Sequence, residues 1–138
     1  MSLPTRFDEE PKFTLPKNNV SNHNGFTGEG YGVVIWNGTN NIIQNNVTNN
    51  NNFGIRLSGQ GRNKVLNNSV SGNTGVGIWL TEIESGTRVL RNTVLGSGEI
   101  DMLEDSVGCD SNIWQNNTFQ TDLVAGVPNG GPWVPCLQ

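Results

Sequence analysis

Asn40-Asn41-Ile42-Ile43-Gln44-Asn45-Asn46-Val47, followed shortly by Gly54-Ile55-Arg56-Leu57, is the stretch on which the fold turns. Both halves return along the chain. The first half reads apolar, two residues, Asn, one residue, apolar. It occurs at Leu15–Asn18–Val20, Ile42–Asn45–Val47, Val65–Asn68–Val70, Val89–Asn92–Val94 and Trp114–Asn117–Phe119, with starts 27, 23, 24 and 25 residues apart. The second half lies between these as Gly32-Val33-Val34-Ile35, Gly54-Ile55-Arg56-Leu57, Gly77-Ile78-Trp79-Leu80 and Glu99-Ile100-Asp101-Met102, with starts 22, 23 and 22 apart. Two interleaved patterns of one period mark a solenoid, in which each turn of chain buries its apolar positions against its neighbours.

The second pattern alternates with the period of two of a half-buried strand. Val33/Ile35, Ile55/Leu57, Ile78/Leu80 and Ile100/Met102 are expected to face inward, and Val34, Arg56, Trp79 and Asp101 outward. Stacked in register, the turns lie about 4.8 Å apart. Asn suits the bends because it tolerates the left-handed backbone region. Its amide also carries both donor and acceptor, so stacked asparagines can form a hydrogen-bonded ladder. Composition agrees: 22 Asn and 18 Gly stand beside only 33% hydrophobic residues, which is enough for a narrow core.

The stretch quoted above resembles the parallel β-helix repeat of the pectate-lyase-like superfamily and of bacterial right-handed β-helix repeat proteins. The resemblance covers about residues 13–121 and implies an all-β, right-handed, single-stranded parallel β-helix of about five coils. Residues 1–12 are then an N-terminal cap. Residues 122–138, with Pro128, Pro132, Pro135 and Trp133, form an irregular C-terminal cap. The superfamily spans polysaccharide lyases, hydrolases, epimerases, tailspikes, adhesins and metal-cofactor accessory proteins, so its fold does not choose a function.

The net charge is −4 and no run of Lys or Arg exists, so no nucleic-acid partner is expected. No run of 18 apolar residues spans a membrane, and the first 19 residues lack the features of a signal peptide. The two cysteines, Cys109 and Cys136, are candidates for a disulfide tying down the tail, which would place the chain in an extracellular or periplasmic compartment. His23, the only histidine, reads as a turn residue. Sequons at Asn19, Asn37, Asn46, Asn67 and Asn116 arise easily in so Asn-rich a chain.

Outward Trp79, Trp36 beyond inward Ile35, and Arg56 on the coil between them are the candidate ligand-binding residues. Exposed indoles call for a partner. A sugar ring, a protein surface (a second copy of the chain included) or the rest of a longer chain would serve. The expected function is a non-catalytic module that binds polysaccharide or protein through its lateral sheet. The alternative is a reduced lyase, hydrolase or epimerase, or a fragment of one, acting on acidic glycan. It would use Arg56 and Asp101, which the repeat places on one outward column. No cofactor is required. Calcium is the one candidate, with Glu82, Glu84, Asp101 and Asp105 as its weak ligand set.

Overall fold

The computed structural model describes residues 5–8, 20–22, 29–81 and 84–124. Among them the protein is all-β apart from one short 3-10 helix, Val107–Ser111. The strands stack into three parallel sheets, making a right-handed β-solenoid of about four turns. Sheet 1 contains β1 (Thr5–Asp8), β3 (Tyr31–Trp36), β6 (Phe53–Ser58), β9 (Val76–Leu80), β12 (Ile100–Glu104) and β14 (Asp122–Val124), in that order. Sheet 2 contains β4 (Ile42–Gln44), β7 (Lys64–Leu66), β10 (Arg88–Leu90) and β13 (Ile113–Gln115). Sheet 3 contains β2 (Val20–Asn22), β5 (Val47–Asn49), β8 (Ser69–Ser71) and β11 (Thr93–Leu95). The ladder runs past the 13–121 span expected from the repeat, since β1 pairs with β3 and β14 with β12.

Each turn needs few apolar side chains because each strand of sheets 2 and 3 sends only one residue inward. Sheet 2 contributes the column Ile43, Val65, Val89, Trp114, and sheet 3 contributes Thr48, Val70, Val94. Sheet 1 supplies two columns: Val33, Ile55, Ile78, Met102 and Ile35, Leu57, Leu80, Glu104. All are essentially without solvent contact. Each aliphatic member stabilises the stack by roughly 1.5–3 kcal/mol.

The corners follow one rule. A residue with positive φ makes the bend, and the next residue, buried on the inner turns and half-buried at Ser97 and Asn117, turns inward. Between sheets 2 and 3 the benders are Asn45, Asn67, Arg91 and Asn116. The ladder residues that follow are Asn46, Asn68, Asn92 and Asn117. Each Oδ1 from Asn68 onward accepts the backbone N–H of the preceding ladder residue, at 2.9 Å throughout. The Nδ2 of Asn68, Asn92 and Asn117 donates to the carbonyls of Ile43, Val65 and Val89. A second ladder, Asn41, Asn63, Thr87 and Asn112, lines the corner between sheets 1 and 2.

Two expected registers are corrected. Ile42 does not share a column with Val65 and Val89: it pairs with Lys64, and Ile43 is the inward residue. The repeat on that turn is therefore shifted by one residue, with Asn46 and Thr48 in the columns of Asn68 and Val70. On β12, Met102 pairs with Ile78 and Ile100 with Val76, so Leu103, not Asp101, continues the outward column of Arg56 and Trp79.

Candidate functional site

The outward face of sheet 1 gathers the three residues that the repeat proposed. Val34, Arg56, Trp79 and Leu103 form one column, and Trp36 stands two positions beyond Val34 on β3. The Arg56 guanidinium carbon lies 4.2 Å from the Trp79 ring centroid and 5.6 Å from those of Trp36 and Tyr31. Three aromatic rings thus surround one cation, an arrangement favoured by the ring quadrupole. Phe53 extends the cluster, with its ring 5.2 Å from Tyr31 and 5.7 Å from Trp79.

Hydrogen bonds fix the geometry. Arg56 Nη1 donates to the Tyr31 hydroxyl at 2.6 Å, and that hydroxyl donates to Glu29 Oε2 at 2.7 Å. Trp79 Nε1 donates to Asp105 Oδ2 at 2.6 Å. Burial, together with the bond to Glu29, holds the Tyr31 hydroxyl above the usual phenol range, so it keeps its proton. Arg56 Nε is buried without a partner. Trp36 is the open member of the cluster, 41% exposed.

Asp101 does not join Arg56. It is buried, in register with Gly77, and its carboxylate is used up by backbone. Oδ1 accepts the Ser97 N–H, and Oδ2 accepts the N–H groups of Gln120 and Thr121. The Asp101 side chain therefore takes the part that ladder asparagines play elsewhere. The Arg56–Asp101 pair of the enzymatic reading is not formed.

The carboxylates proposed for calcium do not converge either. Asp105 is bonded to Trp79, Asp101 to backbone, and Glu82 lies outside the described residues. Glu84 is buried inside the solenoid. It accepts hydrogen bonds from the Gly59 N–H at 2.6 Å, Thr87 Oγ1 at 2.7 Å and Asn63 Nδ2 at 3.2 Å. Glu104, which the repeat left unremarked, is buried beside it and accepts from Ser106 N–H, Asn112 Nδ2 and Trp114 Nε1, each at 3.0 Å. Burial raises both carboxyls above the usual carboxylate range, against the pull of these donors.

Cys109 is buried and disulfide-bonded; Cys136, its expected partner, lies outside the described residues, as does His23.

The family model described as periplasmic copper-binding protein (NosD) matches residues 6–131. The chain belongs to the NosD family. No curated protein and no solved structure matches it. The NosD description raises the question of copper, which takes thiolate, thioether and imidazole donors. Among the described residues no three His, Cys, Asp or Glu side chains form a group that could hold a metal. Met102 is packed in the core and Cys109 is oxidised. The described donors do not fit copper. Among the described residues no helix is long and apolar enough to cross a membrane.

Proposed function

We propose that this NosD-family chain is a non-catalytic periplasmic binding module that holds a polysaccharide on the lateral face of sheet 1. The observation that carries the reading is the seating of Arg56 among Trp36, Trp79 and Tyr31 on an outward strand face. A strand face in water has no need of this arrangement. Trp36 offers a broad, flat, half-open ring of the kind on which a sugar ring stacks. Arg56 beneath it has a rigid planar fork that suits an acid group on the same sugar. Asp101, which the catalytic alternative needs beside Arg56, is buried and bonded to backbone, and this favours the binding reading.

The test is glycan binding by the parent chain and by Trp36→Ala. Trp36 is half-open and its Nε1 has no hydrogen bond among the described residues, so the variant stays folded and loses only the Arg56 contact, about 0.5–1 kcal/mol. Loss of one stacking platform worth about 1.5 kcal/mol lowers affinity roughly tenfold. Equal affinity of parent and variant for every glycan bound would refute the reading. A fall in sedimenting mass of the variant would instead make the indole a contact between copies.

A further inference from the structure

No Lys/Arg run exists in the sequence, yet the fold makes a basic patch. Sheet 2 turns two side chains per strand outward. One outward column is Ile42, Lys64, Arg88, Ile113, and the other is Gln44, Leu66, Leu90, Gln115. Lys64 and Arg88 are both exposed and are direct register partners, so two like charges sit one rung apart, about 4.8 Å along the solenoid axis. Like charges placed so are destabilising. Arg62 precedes Lys64 at one corner, and Arg91 follows Arg88 at the other; both are exposed.

The conformations of these two arginines supply an independent observation. Arg62 has φ +57° and Arg91 has φ +57°. At the equivalent corner positions of the other turns stand Asn40, Gly86 and Ser111, and Asn45, Asn67 and Asn116. Asn or Gly meets that backbone demand most easily, and a long side chain there costs on the order of 1 kcal/mol. The two turns that carry Lys64 and Arg88 thus also carry arginine where the corner favours Asn or Gly. None of the four cations has an ion-pair partner among the described residues. The outward columns of sheet 2 contain no acidic residue; Asp110 stands at the flanking corner one turn beyond Gly86, and Glu84 lies on the inner side, buried and bonded to Asn63 and Thr87.

We infer that the outward face of sheet 2 is a second binding surface, for a linear acidic polysaccharide lying along the solenoid axis across Lys64 and Arg88. Four cations on a chain of net charge −4 select an anion. Their array is linear because parallel strands repeat once per rung. A chain of uronic acids presents one carboxylate per sugar at a comparable repeat. Leu66 and Leu90 lie between the corner arginines and offer the apolar face of the sugars a contact. This surface is separate from the aromatic face of sheet 1, and the two are tested by different variants.

The experiment measures binding of polygalacturonate to the full chain, to Lys64→Gln/Arg88→Gln and to Trp36→Ala, over a salt series. Phosphatidylglycerol vesicles and duplex DNA serve as competing polyanions. The parent binds polygalacturonate, and the charge variant binds at least tenfold more weakly. The slope of log affinity against log salt becomes shallower in that variant, as expected when two neutralised charges are removed. The charge variant Lys64→Arg binds like the parent. Absence of binding by the parent, an unchanged salt slope in the double variant, or tighter binding of vesicles or DNA than of polygalacturonate would overturn the inference. Loss of polygalacturonate binding in Trp36→Ala would overturn it as well, because the sheet 2 surface is untouched in that variant; binding by Trp36→Ala that keeps the Lys64/Arg88 dependence supports it, whatever becomes of the sheet 1 surface.

Discussion

At the scale of single residues, the ladder asparagines hold the turns in register. Asn68 shows how much one side chain carries. Its Oδ1 accepts from both the N–H and the Nδ2 of Asn46, and its Nδ2 donates to the Ile43 carbonyl and to Asn92 Oδ1. Removing it leaves buried donors and an acceptor without partners, at about 1–3 kcal/mol each. Asn52 is half-buried in the turn before β6, where its side-chain oxygen accepts a bond from exposed Thr74 at the surface of the solenoid. Asn68→Ala is therefore expected to lower the denaturant midpoint clearly, and Asn52→Ala to stay within about 0.5 kcal/mol of the parent. Urea unfolding of the two variants side by side checks this. The sequence showed that asparagine matters, yet it could not separate the two roles. In Asn45-Asn46 one residue bends and the other bonds, and Ile42-Ile43 beside them gives two apolar candidates for one inward position. Doublets leave the register open by one residue, so apolar periodicity alone points to Ile42 where Ile43 turns inward. Val65-Leu66-Asn67-Asn68 was read correctly because its outer neighbour, Lys64, is charged.

At the scale of the element, β12 carries the largest departures from the repeat. Glu104 occupies an inward column otherwise filled by Ile35, Leu57 and Leu80. Opposite it Trp114 replaces Ile43, Val65 and Val89, and its indole N–H donates to that carboxyl. The two exceptions satisfy each other; Trp114 falls in the apolar repeat, but Glu104 is invisible to a search for apolar periodicity. The Arg56 cluster was legible because strand alternation fixes the outward phase of Trp79. The basic patch was not, because its members are 24 residues apart in Lys64 and Arg88. Burial raises the pKa of Glu84 and Glu104 above the ordinary value of 4.5. The folded chain then retains protons that the unfolded chain has released. The pair's contribution to stability is complete below the unfolded pKa and declines as pH rises through the raised values. Glu84→Gln/Glu104→Gln is expected to flatten the fall in denaturant midpoint as pH rises above the ordinary carboxyl value of 4.5. Parallel pH profiles for parent and variant would rule this out.

At the scale of the whole molecule, the solenoid is held from turn to turn, and its stability depends on how its ends are closed. Cys109 lies in the helical turn after β12 and reaches the last layer of the core. A bridge to Cys136 closes a span of 27 residues, and the chain-entropy model assigns such a loop on the order of 3 kcal/mol. Reductant is therefore expected to lower the melting temperature, and Cys109→Ser to melt at the same lower temperature with no further response to reductant. A melting temperature indifferent to reductant would remove the bridge from the account of stability. Periplasmic chemistry, the compartment in the family's description, is compatible with such a bond.

The division of asparagines into benders and bonders also sets how the protein ages. An asparagine loses its amide when the next residue's N–H attacks its side-chain carbonyl, and a following glycine leaves that approach unhindered. Ladder residues such as Asn46 and Asn68 are protected, since their amides are clasped and the N–H groups after them are engaged in the sheets. Asn37 is exposed at a left-handed bend with Gly38 after it. Its conversion to aspartate would add a negative charge at the end of β3, one residue from Trp36, while the ladders remained chemically intact. Among the described residues, the protein's ageing would then be written beside its aromatic face before its scaffold changed.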